Sequence, residues 1–233
     1  DSNLGSVLLQ QNRFAEAAAM FEAALNSVEA LAASEPDNLA YQKSLVESLA
    51  WLADARVGEG RLEEAMAQRE RQLAQLEQLK AAHPGDTVFA RQAMTAHSAM
   101  ARLLTSRGDL AGGLEHARRA TADADALLRT EPGNTEWLEA AARSQFELAE
   151  LLRVEQSLPA AAAAVRAGCD IGTRLAAKDR TVRSWNEDLR LMCLHERTQL
   201  ALANAASAEA FSLARQAVAL AERSRGSNRV ERG

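Results

Sequence analysis

The 233-residue chain is poor in the residues that usually carry chemistry. Its two cysteines, Cys169 and Cys193, show no CxxC or other ligand spacing, so no disulfide framework is expected and Cys169 reads as a small core residue. The four histidines, His83, His97, His116 and His195, are scattered and build no HExxH. "CLHE" (193–196) sets Cys193 two residues from His195, but side chains two apart on a helix diverge, which argues against a nucleophile–base pair. "GDLAGG" (108–113) lacks the Lys-Ser/Thr ending of a phosphate-cradling loop. No catalytic residue, metal site or cofactor is expected, and the chain is not read as an enzyme.

Other shortages bound the partners. No apolar run approaches the roughly 18 residues of a membrane span, so membrane insertion is not expected. A net charge of −5 lacks the basic stripe that neutralises phosphates, which argues against nucleic acid. Neither a start Met nor a signal-peptide pattern opens the chain at Asp1. The expected setting is a segment of a longer, cytoplasmic protein.

What is abundant is alanine, the best helix former, while four prolines leave long stretches uninterrupted. Three of those prolines mark a repeat. "EPDNLAY" (35–41), "HPGDTVF" (83–89) and "EPGNTEW" (131–137) place Pro36, Pro84 and Pro132 at steps of 48. Tyr41, Phe89, Trp137 and Trp185 continue that step through "DRTVRSW" (179–185), which has lost its proline. Leu79, Leu127 and Leu175 form a second column, Leu62, Leu110 and Leu158 a third, and Gly60 matches Gly108. Apolar residues recur at three and four within each repeat, the helical period. Gly60 can close one helix in a left-handed cap, and each X-Pro closes the next. One repeat is therefore a helical hairpin, and ten helices are expected, at 2–10, 13–33, 37–58, 61–82, 86–107, 110–130, 134–154, 158–177, 181–203 and 207–225. The aromatic five residues after each proline should pack on the Leu79/Leu127/Leu175 column of the preceding helix.

The opening repeat carries a resemblance. Leu4-Gly5, Leu8, Ala17, Phe21, Ala24 and Pro36 occupy the slots of the tetratricopeptide repeat, with the required spacings from Leu8 to Ala17 and from Ala17 to Phe21. The family repeat is about 34 residues long, so this one carries 14 more, seven in each helix. An equal extension keeps the two helices in register. The resemblance implies an all-α, right-handed superhelical stack, or solenoid, of about five antiparallel hairpins over 1–225. The hairpins fall at about 1–35, 36–83, 84–131, 132–179 and 180–225, with 226–233 a polar tail or linker. Later repeats drift. Arg69 and Gln72 replace apolar residues of the pattern, Glu196 and Arg197 stand where Leu and Ala belong, and the last hairpin regains register only with one residue inserted near "NAASAEA" (204–210).

Proteins resembling this family bind a peptide or partner domain on a concave face lined by the first helix of each pair. Carried onto this sequence, the inward positions include Asp54, then Ser98 and Arg102, then Arg143, Phe146, Glu150 and Arg153. The arginines could fork-bond carboxylates beside one apolar ring. The alternative for the same residues is a solvated face on which Arg102 and Arg143 pair with Asp54 and Glu150. The function implied is a protein–protein interaction scaffold of unknown partner. A second reading is the sensor or oligomerisation arm of a larger bacterial signalling or defence protein, with self-association an open possibility.

Overall fold

Caps fix where the helices begin. Asn38, Asp86 and Asn134, one per 48-residue step, each turn a side-chain oxygen onto a backbone N–H of the following turn, at Ala40, at Val88 and at both Glu136 and Trp137. Each satisfies a donor that the helix itself leaves unpaired. The fourth copy has Val182 at that place. There Asp179 accepts instead from the backbone and hydroxyl of Thr181, and the Asn186 amide donates back to the carbonyls of Asp179 and Val182.

A second marker fixes where hairpins turn. Asn12, Gly60, Gly108 and Gln156, again 48 apart, all adopt positive φ, at 58°, 76°, 86° and 67°. Glycine enters this left-handed region freely, whereas a residue with a Cβ is strained there by about 1 kcal/mol or more. The fifth such residue is Ala205 (φ 57°), 49 beyond Gln156. The extra residue is therefore real but lies elsewhere than expected. Helix starts keep the 48-residue step up to position 183, so the insertion falls between there and the turn at 205. Within that span Ser184–Asp188 forms a π-turn, in which the Leu189 N–H reaches the Ser184 carbonyl five residues back. One wide turn takes up one surplus residue.

The computed structural model describes residues 2–230. Its helices, with no strand among the described residues, are α1 (Ser2–Gln10), α2 (Phe14–Ser34), α3 (Leu39–Gly58), α4 (Leu62–Ala82), α5 (Thr87–Ser106), α6 (Leu110–Thr130), α7 (Thr135–Val154), α8 (Leu158–Lys178), α9 (Leu189–Ala203) and α10 (Ser207–Val230). α10 runs on through most of the stretch expected as a polar tail, and 231–233 lie outside the described residues. Packing divides the chain into two compact units, Asp1–Arg107 and Gly108–Gly233, a division that falls at the turn of the third hairpin.

In the first unit, α1 lies close on α2 because Gly5 leaves room for the Phe21 ring, which a Cβ would meet at 2.5 Å. Phe21, Leu25, Leu49 and Leu52 build one core, and Val46, Leu76, Leu79 and Phe89 a second. Phe89, fully buried beside Leu79, packs as the repeat columns predict. Leu31, the first-repeat member of that leucine column, is the exception at 43% exposure.

In the second unit, Phe146 lies against Gly168 of α8, and Leu138, Leu175 and Leu189 complete a core that Trp185 flanks. Trp137 is buried, with its indole Nε1 lacking a hydrogen-bond partner. Cys169 of α8 and Cys193 of α9 form a disulfide, Cα atoms 5.3 Å apart, which corrects the expectation of two unbridged cysteines. The physical reason lies in the repeat. The two are 24 residues apart, half a repeat to within the one surplus residue, and so fall on the second helix of one hairpin and the first helix of the next, which pack together. At the first such junction Leu25 of α2 and Leu49 of α3 share a core cluster.

Candidate functional site

The first helices that the resemblance assigns to binding are α3 and α5 in the first unit and α7 and α9 in the second. On α3, Asp54 is exposed and accepts from the buried Arg69 of α4, which also donates to Gln72 at 2.7 Å. The two breaks in the apolar pattern, Arg69 and Gln72, are thus buried together and neutralised by Asp54, which is spoken for within the fold. Arg56, two residues along α3, is held by Glu22, Glu59 and Glu64 at 2.9, 2.8 and 3.2 Å. Its guanidinium is pushed above its usual range by the hydrogen bond to Glu59 and by the three negative charges, against a smaller opposing effect of burial. Ser98 is half-buried on α5 and Arg102 is exposed.

The second unit builds a more unusual arrangement. Arg143 of α7 donates to Glu139 at 2.9 Å and lies 3.6 Å from the Met192 sulfur. Glu139 also accepts from the Trp185 indole at 2.8 Å and from the Ser184 hydroxyl at 3.2 Å. Burial, the largest single effect, raises this carboxyl, but the donors Arg143, Trp185 and Ser184 together hold it below the usual carboxylate range. Arg143 therefore braces the carboxylate that ties α7 to the π-turn, a role the spacing gave no sign of. Phe146 is 2% exposed, its ring against Gly168. Glu150 is exposed, and Arg153 is half-buried with an Nε–H that finds no acceptor.

Facing them from α9 is Glu196, only 6% exposed. Burial pushes its carboxyl up, as does the charge of Glu150, against the opposing charges of His195 and Arg153. His195 Nε2 lies 3.8 Å from the Glu196 carboxylate, beyond hydrogen-bond reach, and its side chain is largely exposed. The pair has no acid–base geometry, and Cys193, disulfide-bonded, is no nucleophile. No group of three or more His, Cys, Asp or Glu that could hold a metal ion occurs among the described residues. No described helix is long and apolar enough to cross a membrane. Among the charged residues of this face, Asp54 pairs with Arg69 and Arg143 with Glu139.

No family model matches the chain, and no curated protein matches it. Solved structures do. A variant form of a Podosopora anserina protein, described as a kinesin light chain with nearly identical TPR-like repeats, superposes with a TM-score of 0.64 at 20% identity, covering 96% of this chain and 94% of its own. The parent form gives 0.62 over the same shares, also at 20% identity. BtubC (BKLC) from P. vanneervenii gives 0.50 at 15% identity, covering 91% of this chain and 92% of its own. Such likenesses speak to fold, and the helical hairpins, caps and left-handed turns of this chain speak the same way. The chain has the TPR-like helical-repeat fold, in a version whose repeat is 48 residues long.

Proposed function

We propose that the chain is a protein–protein interaction scaffold rather than an enzyme, and that it holds a peptide or partner domain on the face of its first helices. Folds of this kind generally mediate protein–protein interaction. One observation supports placing the contact on α7 and α9. Glu196 is buried at a cost, and beside it Arg153 keeps an N–H without an acceptor. A carboxylate in that position weakens the fold unless something compensates it, and unpaired buried polar groups are retained where a partner completes them. A bound segment that supplies an acceptor to Arg153 and a donor to Glu196 satisfies both. On the first unit, Ser98 and Arg102 are proposed to contact the same class of partner.

The test is a charge exchange, Glu150→Arg with Arg153→Glu, in the full chain. Both side chains stand at the edge of the core, so helicity by circular dichroism should be unchanged. Partners captured by crosslinking from a native lysate should be lost. An unchanged set of partners, with helicity retained, removes this face from consideration.

A further inference from the structure

The last hairpins, where the second helices α8 and α10 flank α9, carry charges that the fold does not use. Two hollows of about 420 and 380 Å³ lie there, beside a third of about 460 Å³ that shares Cys169 and Arg197 with the second and is lined by Asp170 and Glu209. The first two share Arg190 and Gln216 as a common wall. Arg215 lines the first and Arg197 the second. Each of these three arginines is exposed, and among the described residues none forms an ion pair. No carboxylate lines either of these two hollows. On a chain of net charge −5, whose other arginines are so often held by Glu or Asp, this is a local reversal.

The apolar half of the surface is equally unspent. Phe211 on α10 is 68% exposed, and Arg215 rests 5.9 Å from its ring centroid, one turn along. The Cys169–Cys193 disulfide lines the second hollow together with Leu189 and Gly172. We infer that this groove docks an acidic, partly apolar peptide segment of a partner protein: its carboxylates are forked by Arg190, Arg197 and Arg215, and an apolar side chain enters the hollow over the disulfide. Charge complementarity chooses the occupant. A nucleic acid would need an extended run of cations to match its phosphates, whereas four arginines, Arg223 of the first hollow included, are grouped around two small hollows and the exposed ring, on an acidic chain. The groove rests on the general reading of the chain as a binding module but is a second surface, distinct from the α7–α9 face.

The experiment uses the full chain with its disulfide intact. A phage-displayed library of random dodecapeptides is selected on the immobilised protein, and the recovered peptides are measured by fluorescence anisotropy. Expected are peptides rich in Asp and Glu around an apolar residue, bound at least tenfold more weakly by Arg197→Glu/Arg215→Glu and little changed by Arg153→Glu. The neutral pair Arg197→Gln/Arg215→Gln, which keeps side-chain bulk, should give an intermediate loss at unchanged helicity. Oligo-dT of twelve nucleotides should bind at least tenfold more weakly than the peptides. The proposal is overturned if the selection yields no acidic peptides, if the arginine pair does not matter, or if the oligonucleotide competes on equal terms. It is also overturned if the wild-type chain dimerises through these arginines, since a second copy is then the occupant. Loss with Arg153→Glu but not with the arginine pair would overturn the groove while upholding the α7–α9 face.

Discussion

Gly168 and Gly172 stand one turn apart in the middle of α8, and substituting each by alanine should move stability in opposite directions. In a helix interior, replacing glycine by alanine gains about 1 kcal/mol from lost backbone freedom in the unfolded chain and better propensity. At Gly172 the added Cβ meets Leu189 at 3.5 Å, an ordinary contact, so that gain should appear nearly whole. At Gly168 it meets the Phe146 ring at 2.6 Å. That ring is 2% exposed in the core with Leu138, Leu175 and Leu189, so it cannot swing away without displacing neighbours. Overpacking of this kind costs about 1–3 kcal/mol, toward the upper end for an enclosed ring, leaving a net loss of about 1–2 kcal/mol. Urea denaturation followed by circular dichroism reads both signs, and Phe146→Leu supplies the third corner of a cycle. In that background Gly168→Ala should recover at least about 1 kcal/mol, a coupling typical of residues in direct contact. If Gly168→Ala matches Gly172→Ala in stability, or the coupling is absent, the close approach of α7 and α8 does not depend on this glycine.

Trp137→Ala should cost about 3–5 kcal/mol in denaturant titrations, whereas Trp137→Phe should cost far less, because the indole N–H it removes has no partner to lose. Reducing the Cys169–Cys193 bridge, or Cys193→Ser, should lower stability by about 3 kcal/mol for a closed loop of this length; free-thiol titration of the denatured, unreduced protein should find none. Glu196 has a folded pKa raised above its unfolded one, so its contribution is fully present below the unfolded pKa and is lost as pH rises through the folded value. Glu196→Gln should therefore raise the melting temperature at neutral pH and flatten its fall above the ordinary carboxylate range. A variant no more stable at neutral pH than the parent would mean that the burial of this carboxylate carries no penalty.

The helices are legible because their punctuation repeats. Pro36, Pro84 and Pro132 set the period, and Asn38, Asp86 and Asn134 confirm it as caps. Two features hide behind the same regularity. Cys169 and Cys193 look unrelated while the 48-residue step is the only ruler, and become neighbours once the hairpin halves it. Sequence points the surplus residue of the last hairpin to the polar turn near 204–210, where insertions are cheapest, but the chain takes it up inside a helix as the π-turn at Ser184–Asp188. Side-chain partners are the least legible. Asp54 has more than one arginine within reach of the family pattern, and only packing shows that the buried Arg69 claims it. Similarly, nothing in the spacing announces that Glu139 gathers Arg143, Ser184 and Trp185.

The half-period has a use that extends beyond the natural bridge. Once the surplus residue taken up at Ser184–Asp188 is counted, positions 25 and 48, 73 and 96, and 121 and 144 are the counterparts of 169 and 193, one pair for each of the other seams between a hairpin and the first helix that follows it. Cysteines placed at any of them make that seam individually addressable, to be locked by oxidation and released by a reductant. Because each hairpin of such an array leans chiefly on its neighbours, the melting of locked and unlocked versions would apportion the protein's stability seam by seam. The oxidised chain would carry its own set of staples, spaced by counting alone.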